Sequence, residues 1–204
     1  LTDMAGLFKS KVSIDFDPIF HTYTDRDTGK SVPSVTTLLQ RAGYINARFY
    51  KGTEGRDDGT EVHELTRRAD SGLPVTGSNE RISLCMAQYS RFLAECSAQR
   101  VRAECIVHSK SLGYCGTMDG EWKIGIEPFN GATLLGDIKT GVTVPSWCKL
   151  QTAAYDIADG GMIIRPTRMR FALHLTPETY KIKTYSDDGD YLVWMEIARK
   201  FANV

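Results

Sequence analysis

The alternation of apolar and polar positions marks the first predicted elements. Residues 12–24 alternate as a strand does, and Asp17-Pro18 interrupts them with a turn signal. A short hairpin is therefore expected here. Further along, the segment from Arg81 to Arg100 predicts a long helix with one buried face. Its apolar stripe at helical spacing consists of Ile82, Met86, Tyr89, Phe92, Leu93 and Cys96.

The rest of the chain divides into helices and short strands. Asp58 and Glu61 have the spacing of a capping box, which predicts a helix from Asp58 to Ser71. Ser34 is a candidate N-cap for a shorter helix that Gly43 closes. The remaining predicted elements are strands at 102–108, 112–124, 132–140, 168–175 and 179–185, and helices at 146–158 and 187–201.

The order of these elements predicts the fold class. Three strands follow one another with short connections, which favours an antiparallel meander. A helix and two further strands come next, so we expect an α/β (α+β) fold with a mixed sheet and helices on its faces. The chain has 204 residues, which fits one domain. We expect an N-terminal hairpin and arch-like extension over 1–57 and a core over 58–204.

Composition narrows the functional classes. The 25 basic residues balance 25 acidic ones, which argues against a histone-like basic protein. No run approaches the roughly 18 apolar residues of a membrane span, so no membrane role is expected. The five cysteines form no zinc-binding pattern and indicate free thiols in a reducing compartment. With no apolar leader in the N-terminal segment, we expect a cytoplasmic location and leave a mitochondrial one open.

The densest candidate chemistry lies on two predicted strands. Asp137 and Lys139 are two residues apart on a strand, so they share one face while Ile138 points to the other. Asp119 lies on the preceding strand, where a meander can place it beside Asp137. Two close carboxylates repel each other, and a divalent cation relieves the repulsion. Hard oxygen ligands favour Mg²⁺ or Mn²⁺ over zinc.

Four further positions join this set. Gln151 and Tyr155 are four residues apart on the next helix and share one face. Glu104 lies near the start of the first strand of the meander and could bind a metal directly or through water. His63 lies on the upstream helix, and a neutral imidazole is a metal ligand even among carboxylates. Each position alone is unremarkable, and only the combination is specific.

Taken together, these residues resemble the PD-(D/E)XK nuclease superfamily, and more closely its RecB-like exonuclease branch. The segment VPSVTTLL (32–39) is also similar to phage-encoded exonucleases and to the mitochondrial genome maintenance exonuclease. The order of matching motifs spans about residues 31–200. The motifs are GTEVH (59–63), Glu104, GTMDG (116–120), GDIKT (136–140) and LQTAAY (150–155).

The resemblance implies a role for each residue. Asp119, Asp137, the Ile138 carbonyl and His63 would bind Mg²⁺ or Mn²⁺, and Glu104 would assist. Lys139 would orient or activate the attacking water. Gln151 and Tyr155 would align the site or the scissile strand. One branch of the family carries an iron–sulfur cluster held partly by cysteines near the C-terminus; because no cysteine follows Cys148 here, we expect no cluster.

The expected substrate is DNA, and the resemblance favours a single strand with a free end. Basic residues interleaved with aromatics, which suit backbone tracking and base stacking, run from Arg41 to Arg68. An arch formed around the VPSVTTLL segment would make cleavage depend on an end. The resemblance also implies a role in DNA recombination, replication or repair, with a single-strand annealing or binding protein as partner. The candidate DNA contacts are Ser34, Thr36, Arg48, Lys51, Arg56, Arg67 and Tyr155.

Two alternatives remain open at this point. The chain can be an endonuclease of the same superfamily, or a DNA-binding module that keeps the fold without catalysis. The presence of Asp119, Asp137 and Lys139 speaks against the second alternative.

Overall fold

The computed structural model describes residues 13–46, 53–160 and 169–202, with side chains from residue 58 onward in the second range. Its main feature is a five-stranded sheet in the order β4-β5-β6-β7-β8. The strands are β4 (Gln99–Ser109), β5 (Tyr114–Lys123), β6 (Thr133–Lys139), β7 (Arg170–Leu175) and β8 (Tyr180–Tyr185).

The sheet is mixed because of one crossover. Strands β4, β5 and β6 form the predicted antiparallel meander, and β7 pairs antiparallel with β8. Only β6 and β7 are parallel, and a parallel pair needs a long connection. Helix α4 (Cys148–Gly160) lies in that connection.

Helices cover both faces of the sheet. Helices α1 (Val35–Arg41), α4 and α5 (Gly189–Phe201) pack on one face, where Leu38, Leu150 and Trp194 are buried. Helices α2 (Thr53–Asp70) and α3 (Glu80–Glu95) pack on the other, over a core that includes Trp122 and Ile138. The predicted mixed sheet flanked by helices is confirmed.

A small antiparallel sheet precedes this core. It consists of β1 (Ile14–Asp17), β2 (Thr22–Asp25) and β3 (Ser31–Val32). The Asp17 carboxylate accepts hydrogen bonds from the backbone N–H groups of Ile19 and Phe20, at 2.8 and 3.1 Å, and so fixes the predicted turn. Tyr23 on β2 reaches the main sheet, where its hydroxyl lies 2.9 Å from Thr117 Oγ1.

Three local predictions concern helix ends. Ser34 caps α1 by accepting the Thr37 N–H at 3.1 Å, as predicted, and Gly43 follows the helix with φ of 81°. The capping box is wrong: α2 begins at Thr53, and Glu61 instead accepts hydrogen bonds from Ser78. The long helix also ends early, at Glu95, because Gln99 and Arg100 pair with β5.

Within the described residues, no helix is both long and apolar enough to cross a membrane.

Candidate active site

The candidate residues meet where β5 and β6 separate. The pairing of these strands runs only from Lys123–Thr133 to Gly120–Gly136. Just beyond it, the buried Asp119 carboxylate takes the place of a strand partner: the Ile138 N–H donates a 2.6 Å hydrogen bond to Asp119 Oδ2. The separation therefore opens a gap in the sheet that one carboxylate fills.

Asp137 and Lys139 share a face, as their spacing predicts. Lys139 Nζ lies 2.5 Å from Asp137 Oδ2, and the pair faces α4. Ile138 points the other way and is buried against α2 and α3. Burial alone would lower the pKa of Lys139, but the Asp137 charge beside it raises that pKa overall, so the amine stays a cation.

Helix α4 provides a second hydrogen-bond acceptor for the Lys139 amine. Lys139 Nζ donates a 3.0 Å hydrogen bond to Gln151 Oε1, and Gln151 Nε2 donates a 2.9 Å bond to the Tyr155 hydroxyl. All of these groups are buried or nearly so. The predicted pairing of Gln151 with Tyr155 thus exists as a hydrogen-bonded chain that ends on the lysine.

His63 approaches from α2, on the opposite face of the sheet from α4. Its Nδ1 lies 3.2 Å from Asp119 Oδ1. The helix is tied to the end of β6 by Arg81 of α3, which bonds both Asp58 Oδ2 and the Thr140 carbonyl, at 2.8 and 2.7 Å. The position of His63 relative to Asp119 is therefore supported by contacts outside the site.

Glu104 lies opposite Asp119 on β4 and has an unusual backbone. Its neighbours Ala103 and Cys105 pair with Gly120 and Met118. Its φ is 49°, in the left-handed region that non-glycine residues seldom occupy. Such strain is concentrated at functional sites, because the surrounding structure must hold it.

His63, Glu104 and Asp119 form a group that can hold a metal ion. One ligand atom from each lies within 4.8 Å of the other two. Two carboxylates with one imidazole fit a hard divalent cation such as Mg²⁺ or Mn²⁺. Asp137, also expected to bind metal, lies beside this group and is held by Lys139. Ile138 contacts Asp119 through its amide, and the expected role of its carbonyl stays a prediction.

The charges of the site favour a bound cation. Burial raises the pKa of Glu104, and the nearby Asp119 charge raises it further. Burial also raises the pKa of Asp137, against the effect of Lys139. At Asp119, His63 and Lys139 overcome burial and lower the pKa. In the same way, Asp119 outweighs burial at His63 and raises its pKa. Three carboxylates share the cluster, so a divalent cation would relieve their repulsion.

The predicted DNA contacts fall in different places. Arg67 is exposed one turn beyond His63 and pairs with Glu64, with contacts of 2.6 and 2.9 Å. Ser34 is buried and its hydroxyl caps α1, while the Thr36 hydroxyl lies 2.9 Å from Ser34 Oγ. Arg48, Lys51 and the side chain of Arg56 lie outside the described residues. The DNA role of all of these residues stays a prediction.

Two residues at the start of α4 also contact the site, and sequence reasoning missed both. The Lys139 amine lies 5.2 Å from the centre of the Trp147 ring, and Cys148 Sγ lies 3.5 Å from Asp137 Oδ2. Trp147 precedes Gln151 by four residues, as Gln151 precedes Tyr155, so helical spacing was the signal that could have identified it. No sequence signal pointed to Cys148.

Comparison with known proteins gives structural similarity only. No protein-family model matches the chain, and no curated protein matches it either. A chain from Eubacterium rectale described as a "putative exonuclease" is 13% identical, with a TM-score of 0.44 over 81% of this chain and 70% of that one. An alkaline exonuclease from Laribacter hongkongensis is also 13% identical, with a TM-score of 0.39 over 80% of this chain and 82% of its own. Exonucleases are thus among the structurally similar chains, and the residue roles are inferred from this chain alone.

Proposed function

We propose that this protein is a metal-dependent deoxyribonuclease that hydrolyses phosphodiester bonds from a free end of single-stranded DNA. The observation that carries the proposal is the meeting of Asp119, Asp137 and Lys139 where β5 separates from β6. His63 and Glu104 complete a group of metal-ligand type at the same point. A role in DNA recombination, replication or repair, with a single-strand annealing or binding protein as partner, belongs to the same proposal.

The residues present fit a nuclease mechanism. A divalent cation at His63, Glu104 and Asp119, with Asp137 beside them, would neutralise a phosphate oxygen and make its bound water more acidic. Lys139 is held as a cation and would stabilise the negative charge that develops on the phosphate. Because its amine is paired with the Asp137 carboxylate and donates to Gln151, we assign Lys139 electrostatic stabilisation rather than the removal of a proton.

Gln151 and Tyr155 have a supporting role in this mechanism. Their hydrogen-bonded chain ends on Lys139 Nζ and restricts where the ammonium can lie. A charge that is already in place needs no reorganisation during the reaction. Arg67, an exposed cation one turn from His63, would contact the phosphate backbone of the incoming strand.

The test is cleavage of labelled single-stranded DNA with Mg²⁺ or Mn²⁺. We expect the linear strand to be degraded and its circular form to stay intact. Lys139→Met removes the charge at similar length, and Asp119→Asn keeps an acceptor for the Ile138 N–H. Each should lower the rate by about 10²–10³-fold, because a preorganised electrostatic contact is lost.

The controls separate the alternatives. Binding of the same DNA, measured by anisotropy with Ca²⁺, should persist in both variants. Cutting of the circle would identify an endonuclease. Binding without any cleavage by the wild-type protein would identify a DNA-binding module.

A further inference from the structure

The N-terminal end of α4, together with the residue before it, lies against the Asp137–Lys139 pair. Trp147 precedes the helix and Cys148 begins it. Each contacts a different member of the pair, and neither is among the residues assigned above to the metal or to the reaction. Because Trp147 and Cys148 are adjacent in the chain, the position of one helix end determines both contacts.

Cys148 contacts the carboxylate of Asp137. The thiol is fully buried, and its Sγ lies 3.5 Å from Asp137 Oδ2, within the range of a weak S–H hydrogen bond. Lys139 Nζ contacts the same oxygen. Both donors contact Oδ2, and they therefore restrain the orientation of the carboxylate.

Trp147 contacts the ammonium of Lys139. The distance of 5.2 Å from Nζ to the ring centre is within the range of a cation–π interaction. Asp137 Oδ2 and Gln151 Oε1 contact the same amine at 2.5 and 3.0 Å. The ammonium is therefore surrounded by a carboxylate, an amide and an aromatic ring.

We propose that Trp147 and Cys148 are positioning residues, which hold Lys139 and Asp137 in the geometry that metal binding and phosphate stabilisation require. This inference rests on the proposed nuclease function. Residues that contact a metal ligand commonly have a strong effect on metal affinity or activity, because they set the orientation of that ligand.

Packing alone is the competing explanation. Cys148 also packs with Ala172 and Tyr185, and Trp147 packs against the core under α4. A packing role would change the stability of the fold but not the affinity for metal. The experiment therefore needs a readout besides stability.

For Cys148, the readout is Mn²⁺ binding by calorimetry on the protein without DNA. Cys148→Ala should weaken Mn²⁺ binding about tenfold. Cys148→Ser keeps a donor and should bind nearly as well as the wild type. Cys85→Ala is the matched control, because Cys85 is equally buried but contacts the Leu175 carbonyl at 3.9 Å instead of Asp137. It should lose stability and keep the wild-type affinity for Mn²⁺.

For Trp147, the readout is the division of the effect between kcat and KM. Trp147→Leu should lower kcat about tenfold with little change in KM, and Trp147→Phe should restore most of it, because the ring is retained. DNA affinity measured with Ca²⁺ should stay unchanged in both variants. A lower DNA affinity would mean that Trp147 contacts the substrate and would overturn the positioning role.

Two further outcomes would overturn the inference. One is a Cys148→Ala variant that loses stability, as Cys85→Ala does, with unchanged Mn²⁺ affinity. The other is an equal loss in Cys148→Ser, since the hydroxyl keeps the donor. A wild-type protein that neither binds Mn²⁺ nor cleaves DNA would overturn the proposed function as well, so the two failures are distinguishable.

Discussion

At the scale of a single residue, Glu104 combines two unfavourable features. Its φ of 49° costs a non-glycine residue about 1 kcal/mol, and its carboxylate lies beside that of Asp119. Neither feature helps the protein to fold. Both are explained if the carboxylate is needed where a cation binds, since functional sites commonly retain local strain.

Substitution of Glu104 should therefore separate stability from function. Glu104→Asn removes the charge and suits the left-handed backbone, because asparagine tolerates this region best among non-glycine residues. We expect it to raise the free energy of unfolding by about 1 kcal/mol and to lower nuclease activity. Urea denaturation and DNA cleavage measure the two effects.

Glu104→Gln is the matched control for this pair of effects. It removes the same charge without relieving the backbone, so it should be less stable than the asparagine variant. An asparagine variant that is no more stable than the glutamine variant would show that the backbone at Glu104 is not strained.

At the scale of elements, the distance between α4 and β5 depends on one glycine. A Cβ added at Gly116 would lie 2.7 Å from Tyr155 Cε1 and 3.3 Å from Val35 Cγ2. The absence of a side chain thus lets Tyr155 lie directly on the strand that carries Asp119. The alignment of Gln151 with Lys139 depends on the same close approach.

Gly116→Ala should push this helix face away from the strand. Overpacking of this kind costs about 1–3 kcal/mol, because backbone and side chains must shift. We expect lower stability in urea and a lower cleavage rate as Tyr155 is displaced. Gly141→Ala is the control, since the nearest atom to its Cβ would be the Thr143 carbonyl oxygen at 3.6 Å. A Gly116→Ala variant as stable and active as Gly141→Ala would contradict the close approach.

At the scale of the whole molecule, the small N-terminal sheet is held on the core by a few contacts. They include the Tyr23–Thr117 hydrogen bond, a 3.1 Å pair between Lys110 and Asp27, and a bridge between Ser34 and Cys115. His108 of β4 lies at this junction. Burial lowers its pKa from the ordinary value of 6.5, with Asp25 and Asp27 opposing and Lys110 reinforcing the effect.

This shift predicts that His108 destabilises the fold in mild acid. The folded protein keeps His108 neutral at a pH where the unfolded chain protonates it. Its contribution is therefore complete above the ordinary pKa and is lost as the pH falls through the lower, folded-state pKa. His108→Gln should show a shallower decline in unfolding free energy between about pH 7 and pH 5. Equal slopes for the variant and the wild type would contradict the lowered pKa.

Many of the helices and strands were predictable, because the spacing of apolar residues along the chain indicates which side chains are buried. Alternation located the hairpin, and the two-residue period of a strand placed Asp137 with Lys139 on one face. Periodicity could not locate the end of α3, because Gln99 and Arg100 became part of a strand only by pairing with β5. The start of α2 was missed for a similar reason: Asp58 and Glu61 make tertiary contacts with Arg81 and Ser78 instead of capping a helix.

The candidate site was predictable in its members but not in its geometry. Strand and helix spacing brought together Asp137, Lys139, Gln151 and Tyr155. The left-handed backbone of Glu104 and the thiol contact of Cys148 depend on how elements pack, and local sequence does not encode that. Carboxylates and histidines attract notice as candidate ligands, whereas a buried cysteine resembles any other core residue.

The hydrogen bond between Ile138 and Asp119 has a spectroscopic consequence. The Ile138 N–H donates to a buried carboxylate oxygen at a donor–acceptor distance of 2.6 Å. We therefore expect the carboxylate to shift the nuclear magnetic resonance signal of this N–H, and we expect the signal to change if a cation draws electron density from Asp119. One backbone resonance in the centre of the sheet would thus report whether the proposed site holds a cation, with no substrate consumed.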